Sequence, residues 1–197
     1  MAGKLNQNCG MSFAHPATVD DLLNYRLSCL LASSGAMVTR LCEGRYGITR
    51  REWRLIALLA AHGAMSPSEL SERAHLERAR VSRHISELVA KKLLARVPLD
   101  DDKRRARVEL TERGQALYDD LFPQSVRFNN EVLQALSGPE LAAFDAALRR
   151  LSEVAERLNS SHPVAEKADR RHGGSRRITV GQALPGYARA KSAIEST

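Results

Sequence analysis

Arg78, Arg80, Ser82, Arg83 and Ser86 lie in the stretch ERARVSRHISELVAKK, where Glu87 is the only acid between Arg78 and Lys92. An arginine meets guanine through paired hydrogen bonds, and a serine hydroxyl reaches either a base edge or a phosphate. The chemistry on offer is therefore recognition of a nucleic acid rather than the making of bonds. Val81, Ile85, Leu88 and Val89 recur every three or four residues. A helix that buries them turns the five polar residues outward from its first half, where a recognition helix meets base edges. An arginine-rich helix face taken alone is more often a solvated surface. The segment ARVPLDDDKRRARVEL that follows shifts the balance, because a hairpin built from it carries Asp102, Lys103, Arg104 and Arg105 at its tip. Arginine in a narrow minor groove gains from the concentrated negative potential there. Outward-pointing aspartates would repel phosphates, so Asp102 is expected to pair with a neighbouring arginine and to aim Arg104.

Helical periodicity must position these groups. Thr49-Arg50-Arg51-Glu52 and Ser66-Pro67-Ser68-Glu69 both fit the capping box, and Pro67 suits a first helical position. The pattern predicts a long helix over 19–43, then helices over 50–62, 67–74 and 78–92, and strands over 95–98 and 106–110. A further helix over 111–136 contains Pro123 as a kink point and stops at Ser137-Gly138-Pro139. In the last helix Leu141, Phe144, Leu148, Leu151, Ala155 and Leu158 alternate at spacings of three and four, which suits either intrachain core or a seam between chains. The first helix adds Leu22, Leu23, Leu27, Leu30, Leu31, Met37, Val38 and Leu41, more apolar surface than a small DNA-reading module covers alone. A homodimer would bury both faces.

The expected organisation is an N-terminal arm over 1–18, a dimerisation helix over 19–48, a DNA-binding lobe over 49–111 and C-terminal dimerisation helices over 112–158. Residues 159–197, with Arg170, Arg171, Arg176 and Arg177, read as a disordered basic tail, more simply a solvated end than a dedicated DNA contact.

A chain of 197 residues suits one sizeable core with additional helices. Its net charge of +7 and pI near 9.7 favour a polyanionic partner. No apolar run approaches the length of a membrane-spanning helix, and the N-terminus lacks an export signal, so the expected location is the cytoplasm, with no membrane partner. Cys9, Cys29 and Cys42 are unevenly spaced and odd in number, which suits reduced thiols. His15, His62, His75, His84, His162 and His172 do not form a metal-site spacing, and neither a metal nor a cofactor is expected. His84 lies in the recognition stretch and suits either a DNA contact or partial burial. A Gly-rich phosphate loop, Gly-x-Ser-x-Gly and His-Glu-x-x-His are all absent from the sequence, so an enzyme is the least favoured class.

Over residues 22–158 the chain resembles the MarR family of bacterial transcriptional regulators. The resemblance rests on YGITRREWRLIALLA, on LERARVSRHISELVAKKLL, on the wing Asp102-Lys103-Arg104 and on VELTERG from Val108 to Gly114. It implies a mainly helical winged helix-turn-helix with a small β-wing, dimerised through its N- and C-terminal helices and bound to a pseudo-palindromic double-stranded DNA operator. It also implies a repressor released by a small effector, often an aromatic acid or phenol, in a crevice between the dimer helices and the DNA-reading lobe. Tyr25, Arg26, Ser28, Tyr46, Arg50 and Trp53 have suitable chemistry for that crevice, since an aromatic wall plus an arginine suits an aromatic acid. Trp53 shares an apolar face with Ile56, Ala57 and Ala60, so core packing is its plainer reading. By the same resemblance, the reactive cysteine of the peroxide-sensing branch falls on Tyr25 here, with Cys29 one turn later. A ligand-responsive repressor is thus the expectation, with aromatic-compound catabolism as a setting. The alternatives are a weakly specific architectural DNA-binding protein and a cysteine-based redox-sensing repressor.

Overall fold

The computed structural model describes residues 13–99 and 102–161. Residues 1–12 of the N-terminal arm with Cys9, the tail arginines, and the side chains of 99 and 102–105 lie outside that description. The expected pairing of Asp102 with a neighbouring arginine, and the contacts of Lys103, Arg104 and Arg105, lie outside it too.

A 3₁₀ turn, Val19–Asp21, leads into α1 (Leu23–Ser34) and α2 (Ala36–Gly44). The single helix expected over 19–43 is thus divided. Gly35, the dividing residue, keeps near-helical angles (φ −81°, ψ −9°), and its N–H still reaches the Leu31 carbonyl at 3.0 Å. The interruption coincides with a close approach: a Cβ on residue 35 would lie 2.6 Å from Cζ of Arg50. Bare backbone at Gly35 makes room for that guanidinium.

Capping boxes start α3 (Arg50–His62) and α4 (Pro67–Ala74) where the sequence places them. The Thr49 N–H donates to Glu52 Oε2 at 2.6 Å, and the Ser66 N–H donates to Glu69 Oε2 at 2.7 Å. Between α4 and α5 (Arg78–Ala90), His75 adopts a left-handed conformation (φ 52°), which reverses the chain tightly. Buried Ser71 fixes that turn by donating its hydroxyl to the Leu76 carbonyl at 2.6 Å, while the Leu76 N–H returns to the Ser71 carbonyl at 3.1 Å. An Arg54 guanidinium nitrogen donates to the carbonyl of Ala74 at 3.0 Å and satisfies the end of α4. Helix α5 ends at Ala90 rather than 92, because Lys92 turns left-handed (φ 57°).

Strands β1 (Leu94–Leu99) and β2 (Asp102–Leu110) pair antiparallel, from Leu94 opposite Leu110 to Pro98 opposite Ala106, with an irregular step before Leu99 meets Asp102. Both outrun the expected strands. The extension towards the tip rests on the single pair Leu99–Asp102 beyond that irregular step, not on a continuous ladder through the charged residues. Met65 extends the wing towards the body by exchanging backbone bonds with Val108 at 3.1 and 2.9 Å.

Helix α6 (Glu112–Leu133) starts from Thr111 and contains Pro123. Its start shows why Thr111 and Gly114 act as a unit. Thr111 Oγ1 accepts the Gly114 N–H at 3.0 Å and donates to the Lys92 carbonyl at 2.8 Å. Gly114 lies directly on the Leu93 carbonyl, where any Cβ would overlap it. Helix α7 (Gly138–Ser161) begins inside the Ser-Gly-Pro sequence expected to separate two helices. Ser137 caps it through Glu140, with N–H and hydroxyl donating to Oε2 at 2.8 and 2.6 Å, and Pro139 occupies the first turn, where its missing N–H costs little.

The core joins Ile48, Trp53, Leu55 and Ile56 to Leu70 from α4, Val81, Ile85 and Leu88 from α5, Val108 from the wing and Leu121 from α6. Helices α1 and α7 contribute no buried residue.

Candidate nucleic-acid interface and effector crevice

Burial of Val81, Ile85 and Leu88 fixes the rotation of α5, so Arg80, Ser82 and Arg83 face outward from its first half and are exposed. Arg78 is exposed too, with a loose ion pair to Glu72 at 3.6 Å. Ser86 is more engaged than the sequence suggests. Its hydroxyl donates to the Ser82 carbonyl at 3.1 Å and accepts from Arg96 Nη2 at 3.1 Å. Arg96, on β1, was not among the expected DNA contacts, yet it ties the wing to the exposed face of the recognition helix. Its signal was an arginine on the wing strand two positions from β1's start, legible only once the hairpin is docked on α5. His84 is buried, with Nδ1 3.2 Å from Glu87 Oε2, so of its two expected settings the structure gives burial.

At the far end of α5, Lys91 Nζ binds Glu52 Oε1 at 2.8 Å. Glu52 is almost wholly buried (1% exposed) and serves as the third residue of the α3 cap. Burial, the largest influence, raises the Glu52 pKa, but bonds from Lys91 and the Thr49 N–H outweigh it and hold the carboxyl below its ordinary value. This one carboxylate locks the recognition helix to α3.

A separate crevice of about 470 Å³ opens between α1 and α2 on one side and α3 and α6 on the other. Arg50, Trp53 and Arg54 form its α3 wall, with Val38 opposite and Phe128 and Asn129 from α6. Burial, then the neighbouring charges of Arg50 and Arg51, push the Arg54 pKa down. The crevice thus brings like charges together, and no acid lines it. Trp53 stacks on Tyr118 at 5.8 Å between ring centroids, and Tyr118 stacks on Phe122 at 5.0 Å. It therefore packs in the core and lines the crevice at once.

Of the six residues expected in an effector site, Arg50 and Trp53 line this crevice and the others do not. Tyr25 and Ser28 are exposed on α1, one to two turns before Leu30 and Ser34, which do line it. Arg26 lies over the Phe13 ring at 4.6 Å. Tyr46 is occupied with α6, donating to Asp120 Oδ2 at 2.7 Å and accepting from Gln124 at 3.1 Å. Sequence reasoning missed Arg54, although it lies one turn from Arg50, and it missed Ser125, Phe128, Asn129 and Val132, whose helical spacing gave the only clue.

Cys42 is buried, and burial pushes its thiol up to about 11, which disfavours the reactive thiolate. Cys29 is exposed, and its hydrogen bond with Tyr25 raises the Tyr25 pKa.

An exposed basic helix after a tight turn, braced to a two-stranded wing, defines a winged helix-turn-helix. Residues 46–105 match the MarR family model. The chain is 26% identical over 113 residues to the HTH-type transcriptional regulator FarR of Neisseria gonorrhoeae, covering 57% of this chain and 77% of FarR. Its fold matches that of a MarR/EmrR family transcriptional regulator from an Acinetobacter species, with a TM-score of 0.65 and 24% identity over 71% of this chain and 99% of the other. It also matches BpsR of Bordetella bronchiseptica, whose DNA binding is regulated by 6-hydroxynicotinic acid, with a TM-score of 0.54 and 24% identity over 64% and 98% of the two chains. The chain is thus similar over residues 46–105 to MarR-family transcriptional regulators and shares their winged helix-turn-helix fold. Among the described residues no helix is long and apolar enough to cross a membrane.

Proposed function

We propose that this protein is a homodimeric repressor that holds a pseudo-palindromic operator and releases it when a small aromatic acid or phenol enters the crevice between α1, α2, α3 and α6. The observation that carries this reading is the crevice chemistry: paired arginines beside Trp53 and Phe128, with no acid in the lining. An aromatic carboxylate would neutralise charges that now repel and would stack against the rings. The regulation of BpsR by 6-hydroxynicotinic acid supports the same ligand class. Arg80, Ser82 and Arg83 would read the major groove, with Arg78 and Arg96 on phosphates and Arg104 at the minor groove.

The crevice reaches the recognition helix through α3, which packs on both α2 and α5. A ligand that binds better to a dimer with the wrong half-site spacing lowers operator affinity, and by linkage the operator weakens the ligand equally. Trp53 is the sole tryptophan of the chain, so its fluorescence reports directly on this site. Titration with 6-hydroxynicotinate or 4-hydroxyphenylacetate is expected to change that fluorescence saturably. Arg50→Ala is expected to weaken the response roughly 10-fold or more, the scale of a lost charge-assisted hydrogen bond. A linear, unsaturable change across a panel of aromatic acids and phenols would contradict the assignment.

A further inference from the structure

A second crevice lies on another side of the DNA-reading lobe and has a different chemistry. It measures about 590 Å³ and is bounded by Arg45 before α3, by Lys91 and Lys92 after α5, and by Arg113 on the first turn of α6. Leu93 and Leu117 form part of its lining, and no acidic residue does. Arg45 is paired with Asp120 at 3.2 Å and Lys91 with Glu52 at 2.8 Å. Lys92 and Arg113 have no ion-pair partner among the described residues.

Lys92 has a further peculiarity, since its backbone is left-handed at φ 57°. A side chain there is strained and a glycine would not be, yet the position carries a cation. Strain held beside a cavity is a reason to look for function. The plain alternative is that Lys91 and Lys92 merely complement the negative end of the α5 dipole. That end is already satisfied, because the N–H groups of Lys91, Lys92 and Leu93 donate to the carbonyls of Glu87, Val89 and Leu88 at 2.9–3.0 Å. The dipole also gives no account of Arg45 and Arg113, which come from other elements.

We propose that this crevice is a binding site for a small phosphate-bearing anion, with Lys92 and Arg113 as its principal contacts and Arg45 and Lys91 adding to the positive field. Such an anion would bridge the turn between α2 and α3, the end of α5 and the start of α6. DNA phosphates offer the same chemistry, but the crevice is at the opposite end of α5 from Arg80, roughly 15 Å along the helix at 1.5 Å per residue. A free anion is therefore the assigned occupant.

The probe is inorganic pyrophosphate, added to the full chain at ionic strength held constant with sodium chloride. Melting is compared for the unaltered protein and the Lys92→Gly/Arg113→Ala variant. Lys92→Gly alone relieves the left-handed strain, so its own melting temperature should not fall, which separates loss of binding from loss of folding. At about 100-fold excess over Kd the unaltered protein should gain roughly 5–10 °C, and the double variant should gain almost nothing. An equal gain in both proteins, or none in the unaltered one, overturns the site. The salt dependence of DNA binding identifies the source of phosphate. It should have the same slope in both proteins, whereas a slope smaller by about two in the variant would place DNA phosphates in the crevice and overturn the proposal.

Discussion

Replacing Leu151 and Leu158 together by aspartate is expected to yield a folded chain that no longer dimerises and binds a palindromic operator on the order of 10³-fold more weakly. These leucines belong to α7, which has no buried residue, and they are 44% and 54% exposed. Phe144 on the same helix and Leu22, Leu30, Leu31 and Met37 near the N-terminus are similarly exposed. The variant therefore removes nothing from the core of its own chain, and folding should survive. The loss comes from turning one two-site event into two independent ones, which forfeits an effective concentration worth about 10²–10⁴. Sedimentation at micromolar concentration should show a dimer for the original protein and a monomer for the variant. An undisturbed dimer would place the seam elsewhere, and a variant without helical structure would make α7 part of the intrachain core.

Glu52→Ala should destabilise the DNA-reading lobe by about 2–4 kcal/mol, a loss on the scale of truncating a core leucine. It removes the carboxylate that accepts the Thr49 N–H and strips Lys91 of its partner. Lys91 is 38% exposed and can return to water, which keeps the figure below that of a fully buried pair. Melting should drop by roughly 6–12 °C at pH 7. The sign of the pH dependence follows from the depressed pKa. A carboxyl held below its ordinary value of 4.5 contributes stability that is present above that value and is lost as pH falls through the folded-state pKa. The gap between original and variant should therefore narrow below about pH 4.5. A gap that stays constant down to pH 3 would mean that the carboxylate charge contributes nothing.

What the sequence revealed was mostly local. Thr49 with Glu52, and Ser66 with Glu69, announce helix starts because hydroxyl and carboxylate need only three residues of spacing to satisfy the orphan N–H groups. The outward face of α5 was equally legible, since Val81, Ile85 and Leu88 fix its rotation. The wing is legible as a hairpin, but its strands run on past an irregular step between Pro98 and Leu99 that no side-chain pattern marks. Other features depend on groups distant in sequence. The pause at Gly35 has meaning only beside Arg50, and the left-handed Lys92 carries no mark in the sequence. The effector crevice draws on residues from Leu30 to Leu133, so chemistry alone selected Tyr25, Arg26, Ser28 and Tyr46 as readily as Arg50 and Trp53. Tyr46 illustrates why: a phenol suited to a ligand is just as suited to Asp120 and Gln124, and only packing decides between them.

If a dimer reads sequence through two copies of α5, one ratio of affinities will show it. Affinity should be measured for a palindrome from the protein's own promoter region and for random duplex of equal length at the same salt, with the original protein and with Arg83→Ala. The palindrome should be preferred by at least 10³-fold with two chains per duplex, and Arg83→Ala should reduce that preference by roughly 10–100-fold. Equal affinity for both duplexes, with only a steep salt dependence, would contradict it and leave a protein that binds DNA by charge alone.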